Sequence, residues 1–399
     1  MRSLRLYPVV IVILVILLSI LTACGPTPVP TSTPTSAPLP TGTERPTFTP
    51  TSPVETTQPP ASTAVDTNTP AIEGEETPEA SPTPPEDDTP TAAATREAAG
   101  QATKLSGMLL FPAFDTTAQT YHLYQMDLTT GQTETLIEQA SQPTVSWDGT
   151  RIAWRSWKPE QRGLLSRPVD GTDIWRMIPF NEAARPDWAP DNERFVFPSR
   201  QEPDRESRLY LFTGIGDEPF IEIQRHGSPV IGRTPIFLPD GRIVYQGCVE
   251  NDCGLFVMDA DGANPQRLTD FKDDTAPAVS SDGQRIVYMS MSSGYWQVNI
   301  VNMDGTGQRR LTDDWYWNGL PVWSPDGRHI LFVSTRDENW PDTLAPTDNT
   351  EFRLWVMDAD GSNQQLFNEM TLRLDGIPAG VAEHEAGGWI EERMIWLSK

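Results

Sequence analysis

Six aromatic side chains are the first candidates for ligand binding, because they gather in three nearby stretches of the sequence. They are Tyr295, Trp296, Trp315, Tyr316, Trp317 and Trp340. Rigid aromatic faces contribute contact area at low entropy cost, so such residues suit stacking on sugar rings or clamping a peptide. The alternative is that the same rings pack inside the fold. Neighbouring acidic residues would favour a neutral or cationic ligand: Asp313, Asp314, Asp337, Glu338 and Asp342.

Cys24 is the next candidate, because it ends an apolar run that follows a short basic start with Arg2 and Arg5. A run of this length is short for a membrane-spanning helix and is typical of a secretory signal peptide. Leu21-Thr22-Ala23-Cys24 resembles the bacterial lipobox, which implies cleavage before Cys24 and diacylglyceryl modification of its thiol. The alternative is an uncleaved anchor. Both interpretations place the remaining chain outside the cytoplasm, attached to a membrane.

The other two cysteines, Cys248 and Cys253, are spaced as "GCVENDC". Outside the cytoplasm such a pair favours a disulfide, with two free thiols as the alternative. A zinc site is not expected, because no second CxxC or nearby histidine supplies further ligands.

Residues 25–104 are rich in Thr, Pro, Ser and Ala and poor in large apolar side chains. Such a composition cannot bury enough surface to offset chain entropy, and it predicts a disordered stalk. The expected organisation is therefore a signal peptide over 1–23, a lipidated cysteine and stalk over 24–104, and a folded domain over 105–399.

The folded part repeats one phrase, seen most clearly as "PVWSPDGRHILFVS" from Pro321. Its aspartates recur every forty-odd residues, at Asp148, Asp191, Asp240, Asp282 and Asp326. A second phrase such as "LFVMDADG" alternates with it and ends at Gly131, Gly171, Gly216, Gly262, Gly305 and Gly361. A period of this length, with short apolar strands and tight turns, indicates one four-stranded propeller blade per repeat.

The PDG turns, the "VMDADG" half and the spacing resemble the TolB-type propeller repeats, which are related to WD repeats. Six copies of the second phrase predict an all-β, six-bladed propeller, with seven blades as the alternative. We expect the C-terminal stretch "GGWIEERMIWLS" to pair with the N-terminal strands and close the ring. The resemblance implies an extracytoplasmic interaction module.

Strand parity sorts the loops of such a blade. The regular turns between strands 1 and 2 and between strands 3 and 4 emerge on one side, which we call the turn face. The variable connections between strands 2 and 3, and from strand 4 to the next blade, emerge on the other side, the irregular face. Long irregular loops on a rigid scaffold usually carry recognition. We therefore expect the aromatic candidates to lie on the irregular face.

Catalysis is not expected, and no cofactor or metal is predicted. The sequence has no GxSxG nucleophile elbow, and "HEAGG" at 384–388 lacks the second histidine of a zinc protease motif. His122, His226 and His384 fall near the irregular face, so a propeller lyase or hydrolase is a remote alternative.

The expected partner is an extracytoplasmic protein or peptide bound at the irregular face or in the central channel, with a cell-surface glycan as the alternative. The net charge of −25 and the lack of a Lys/Arg cluster argue against nucleic acid.

Overall fold

Six four-stranded antiparallel sheets form the folded part of the chain, which confirms the predicted six-bladed, all-β propeller and excludes seven blades. The computed structural model describes residues 105–214, 219–336 and 350–399. The predicted signal peptide, Cys24 and the stalk lie outside the described residues, as does Trp340.

The strands of each blade are numbered from the innermost, strand 1, to the outermost, strand 4. Blade 1 comprises Ile395–Leu397, Met108–Asp115, Thr120–Asp127 and Thr133–Ile137. Blade 2 comprises Ala140–Val145, Arg151–Ser156, Gly163–Pro168 and Trp175–Ile178. Blade 3 comprises Asp187–Trp188, Phe195–Ser199, Arg208–Phe212 and Phe220–Glu222.

Blade 4 comprises Gly232–Phe237, Ile243–Val249, Asp252–Met258 and Gln266–Arg267. Blade 5 comprises Thr275–Val279, Arg285–Ser290, Gln297–Asn302 and Arg309–Arg310. Blade 6 comprises Asn318–Trp323, His329–Ser334, Phe352–Asp358 and Gln365–Leu372. A small extra hairpin, Gln224–Arg225 with Ser228–Pro229, links blades 3 and 4.

The helices in the described part are short. They are the 3-10 turns Pro159–Gln161 and Trp389–Glu391 and the α-helix Glu383–Ala386. No helix among the described residues has the length and apolar character needed to cross a membrane.

The ring is closed by the two ends of the described chain, as predicted. Ile395–Leu397 pairs antiparallel with Met108–Leu110 and forms the inner strand of blade 1. The indole of Trp396 also donates a hydrogen bond to the Ser106 carbonyl at 3.0 Å. This pairing joins the two ends of the described chain within one sheet.

The repeated turn has a simple local cause, seen most clearly in blade 6. The Asp326 carboxylate accepts a hydrogen bond from the Ser324 hydroxyl at 2.6 Å and another from the Arg328 N–H. Gly327 takes a φ of 67°, which glycine adopts without the steric cost of a side chain. These bonds fix the chain reversal between strands 1 and 2, so that the two strands pair in register.

Strand 2 of each blade is nearly continuous in apolar residues because the neighbouring blades cover both of its faces. In blade 6, Ile330 and Phe332 are fully buried and pack with Val287 and Val298 of blade 5. Burying one such side chain stabilises the fold by about 1.5–3 kcal/mol.

The inner strands share a backbone irregularity that the sequence phrase does not reveal. Six residues before each turn aspartate, a non-glycine residue takes positive φ, between 38° and 54°: Gln142, Arg185, Thr234, Ala276 and Leu320. Such conformations are unusual outside glycine and persist where other contacts compensate for their cost. In blades 2 and 3 the N–H groups of Gln142 and Arg185 donate to the side chains of Glu392 and Gln142, respectively.

The two faces are arranged as parity predicts. The turn face carries the regular turns and also both ends of the described chain. There the Gly107 carbonyl accepts a bond from the Leu128 N–H, and Lys399 pairs with Asp127 at 2.6 Å. The irregular face carries the variable connections and residues 376–394, which we call the C-terminal segment.

Candidate functional site

The predicted aromatic site places one pair of rings at the surface of the irregular face. Tyr295 precedes strand 3 of blade 5, and Trp315 lies in the connection from blade 5 to blade 6. Their ring centroids are 6.0 Å apart in an edge-to-face arrangement, and Trp315 is 72 % exposed. We call these two residues the aromatic pair.

The connection that carries Trp315 is held from beneath by hydrogen bonds. The Asp314 carboxylate pairs with Arg336 at 2.6 Å and accepts a bond from the Asn318 side chain at 2.8 Å. The Gln297 side chain donates to the backbone carbonyls of Asp314 and Tyr316. Trp315 is therefore presented to solvent from a backbone with fixed position.

Trp296 and Trp317 occupy a different environment, because both are buried. Each packs edge-to-face on Trp389 of the C-terminal segment, with centroid distances of 6.5 and 6.3 Å. Neither ring presents an exposed face on which a ligand could stack. Tyr295 and Tyr316 are both half-buried, so Trp315 is the exposed ring among the described aromatic candidates.

The C-terminal segment contacts the inner strands of blades 2 and 3, which border the central channel. The buried carboxylate of Glu392 accepts a hydrogen bond from the Gln142 N–H on the inner strand of blade 2. Burial raises the pKa of Glu392 to about 7, although hydrogen bonds and nearby arginines oppose this effect.

Arg393 links the same segment to the inner strands. Its guanidinium lies 2.5 Å from the Asp187 carboxylate and also donates to the Pro186 carbonyl. Asp187 in turn accepts the Phe237 N–H of blade 4 at 2.7 Å. Burial raises the pKa of Asp187 above its ordinary value, and Arg393 acts in the opposite direction.

Beside this segment, arginines of blades 2, 3 and 4 converge on one small cavity. Arg155 stacks on Trp157 at 4.2 Å, and Arg200 pairs with Glu391 at 2.7 Å. Burial lowers the pKa of Arg155 to about 10 and that of Arg185 to about 9. Burial alone would raise the pKa of Glu391, but Arg200 and its neighbours hold it below its ordinary value.

Among the described residues, one group of potential metal ligands occurs, at the rim of this cavity: Glu182, His384 and Glu385, with ligand atoms within 4.8 Å of one another. Both carboxylates are already engaged, Glu182 by Arg205 and Glu385 by Arg162. A cation would have to displace these arginines and tolerate Arg155 nearby. His122 and His226 lie elsewhere, in strand 3 of blade 1 and in the extra hairpin.

The predicted disulfide is formed. Cys248 and Cys253 face each other across strands 2 and 3 of blade 4, next to the connection between those strands. The bond fixes the end of this hairpin on the irregular face.

Two features are missed by reasoning from the sequence. The first is the buried polar network of the C-terminal segment, because the repeat pattern makes Trp389, Glu391, Glu392 and Arg393 part of a degenerate repeat. Charged residues within an otherwise apolar strand sequence are a signal that could have indicated this network. The turn face also carries exposed aromatics: Trp147 and Trp175 are each 46 % exposed at blade 2.

The repeat and its blade geometry can be compared with known proteins. Residues 108–340 match the family model described as the TolB beta propeller domain. The chain belongs to this family.

Relatives of this TolB-like propeller cover it only in part. An uncharacterised protein of Agrobacterium fabrum is 30 % identical over 159 residues, which is 39 % of this chain and 52 % of that protein. The Tol-Pal system protein TolB of Rhizorhabdus wittichii is 35 % identical over 72 residues, 18 % of this chain and 14 % of that protein. The chain thus spans about half the length, or less, of these curated relatives.

A similar solved structure is TolB from Acinetobacter baumannii, with a TM-score of 0.55 and 18 % identity. The similarity covers 77 % of this chain and 70 % of that one. At this level of identity the comparison shows the shared fold.

Proposed function

We propose that this TolB-like propeller is a protein- or peptide-binding module on an extracytoplasmic lipoprotein, anchored to a membrane through Cys24. The TolB beta propeller fold supports an interaction role in general terms. A place in a Tol-Pal system is not part of the proposal, because only a short stretch matches a TolB of that system.

The observation that carries the proposal is the aromatic pair. Trp315 is 72 % exposed, yet its backbone is fixed by Asp314, Gln297 and Asn318. When a partner covers a large ring that a rigid connection holds in water, the free energy of the system falls. Little conformational entropy is lost on binding, because the connection is already ordered. Tryptophans in this setting are typical of interaction hot spots.

Photocrosslinking in intact cells tests the proposal. A photoreactive residue replaces the exposed Asp313 in one variant, which keeps Trp315, and the control carries it at Trp147 on the opposite face. We expect a discrete crosslinked protein from position 313, absent from position 147 and absent when Trp315→Ala is added. Equal patterns from both positions, or no product at 313, would contradict the proposal.

The glycan alternative rests on the same exposed indole, since its face also suits a sugar ring. It predicts retention on cell-wall glycan resin that Trp315→Ala abolishes. If Trp315→Ala folds normally and retention is unchanged, glycan stacking at this site is excluded.

Lipid anchoring is tested separately. Radiolabelled palmitate should be incorporated into the wild type and not into Cys24→Ser, which should also be released from membranes. Labelling that persists in Cys24→Ser would place the anchor elsewhere.

A further inference from the structure

The cavity beside the C-terminal segment is lined by four arginines and three carboxylates, and the buried carboxylates of Glu392 and Asp187 act on the same arginines from outside its lining. We call it the arginine cavity. Arg155 and Arg185 of blade 2 and its connection, Arg200 of blade 3 and Arg233 of blade 4 line it, together with Ser199. It opens on the irregular face, between these blades and the C-terminal segment.

Three carboxylates also line the arginine cavity, but two of them are neutralised by arginines that are not part of its wall. Glu182 pairs with Arg205, and Glu385 pairs with Arg162 at 2.7 Å. Glu391 remains, and it is paired with Arg200 at 2.7 Å. Within the described residues, Arg155, Arg185 and Arg233 therefore form no ion pair inside the cavity.

The hydrogen bonding of the buried guanidiniums is also incomplete. Arg155 donates to the backbone carbonyls of Asn181 and Glu385, and Arg185 makes one long bond, 3.4 Å, to the Ile390 carbonyl. Among the described atoms, the Nε groups of both arginines and the Ser199 hydroxyl are buried without a partner. Arg185 and Ser199 are 2 % and 1 % exposed, so water outside the cavity cannot satisfy them.

Buried donors without acceptors are costly, and guanidinium groups are the most costly of them. A ligand that supplies negatively charged acceptor oxygens would remove this cost. A carboxylate matches the planar fork of an arginine, because its two oxygens can accept two parallel N–H bonds. The cavity volume is about 20 Å³, which leaves room for a small group rather than a large oxyanion.

We propose that the arginine cavity is a binding site for a carboxylate group, held by Arg185, Arg155 and Ser199 with Arg233 at the rim. The carboxylate can belong to a small free acid or to the C-terminus of a peptide, since the chemistry recognised is the same. This site goes beyond the proposed function, because it does not involve the aromatic pair.

Equilibrium dialysis of the full-length protein tests the proposal with three labelled probes at low ionic strength. These are acetate, the tripeptide Ala-Ala-Ala with a free C-terminus, and the same tripeptide with an amidated C-terminus. We expect one site per chain for acetate, for the free tripeptide, or for both, and none for the amide. Tight binding of the free tripeptide alone identifies a peptide terminus as the source; equal binding of acetate identifies a small acid.

Variants locate the site. Ser199→Ala removes one donor without adding bulk, and Arg233→Gln changes an exposed rim residue, so both are expected to fold as judged by near-ultraviolet circular dichroism. We expect Kd to rise about threefold in Ser199→Ala and at least threefold in Arg233→Gln. Arg185→Gln, if it folds, should raise Kd more than tenfold. Arg309→Gln, on the turn face, is the matched control and should bind as the wild type does.

Three results would overturn the proposal. One is the absence of saturable binding by acetate and the free tripeptide. Another is binding that Ser199→Ala and Arg233→Gln leave unchanged. The third is stoichiometric binding of Mn²⁺ without anion binding, abolished by His384→Ala, which would assign the rim of the cavity to a metal instead.

Discussion

Replacing Arg393 by methionine should destabilise the propeller strongly, because it leaves Asp187 buried without its counter-charge. At 2.5 Å the two groups attract by about 7 kcal/mol at an effective dielectric constant of about 20, and the desolvation of both charges offsets much of this. Breaking such a buried pair from one side costs about 3–5 kcal/mol. The midpoint of thermal unfolding should fall by roughly 10 °C.

The assay is equilibrium unfolding in guanidinium chloride, followed by tryptophan fluorescence, for Arg393→Met, Asp187→Asn and the double variant. The double variant should recover part of the loss, since it no longer buries an unpaired charge. The exposed pair of Arg310 with Asp313 gives the control: Arg310→Met should cost less than about 1 kcal/mol.

Acidification gives a second readout for the same variant. Without Arg393 the pKa of Asp187 in the folded state rises further above that of the unfolded chain. The variant should therefore lose stability as pH rises and recover part of it as pH falls towards about 4. If Arg393→Met and Asp187→Asn each cost less than about 1 kcal/mol and add independently, the C-terminal segment is not held by this pair.

Three further predictions concern other contacts of the fold. Glu392 has a pKa of about 7 in the folded protein, against an ordinary value of 4.5, so its contribution to stability should fall as pH rises from about 4.5 to 7. Glu392→Gln should flatten this pH dependence in denaturation curves recorded across that range. An unchanged slope would show that Glu392 is not buried. Replacing Cys248 and Cys253 together by serine should lower the free energy of unfolding by about 2 kcal/mol, because the disulfide closes a short loop. Dithiothreitol should have the same effect on the wild type and none on the variant. Trp389→Ala should cost about 3–5 kcal/mol by calorimetry, since the ring packs with Trp296, Trp317 and Phe352, and a loss comparable with that of the exposed Trp315→Ala would refute this placement.

The fold was predictable from the sequence because the repeat expresses local chemistry. Each turn needs an aspartate to accept backbone bonds and a glycine at positive φ, as Asp326 and Gly327 illustrate. Alternation of two such turns fixes antiparallel pairing, and antiparallel pairing fixes which loops share a face. Closure by residues near Trp396 follows from counting incomplete repeats.

The site was only partly predictable, because burial depends on contacts distant in sequence. Trp315 and Trp317 are two residues apart, yet one is exposed and the other packs on Trp389, more than seventy residues later. The arginine cavity collects Arg155, Arg185, Arg200 and Arg233 from three blades, and each arginine alone looks like an ordinary loop or strand residue. Nothing in the local sequence of Gln142 signals its positive φ.

The central claim is that the C-terminal segment and its strand both close the ring and contact the inner strands that border the channel, leaving the rim of the irregular face for recognition. Hydrogen exchange measured residue by residue tests it most directly. The amides of Ile395–Leu397, of their partners Met108–Leu110 and of Gln142 should exchange as slowly as the most protected strands, through global unfolding alone. Fast exchange of these amides while the inner strands of blades 4 to 6 stay protected would contradict the claim.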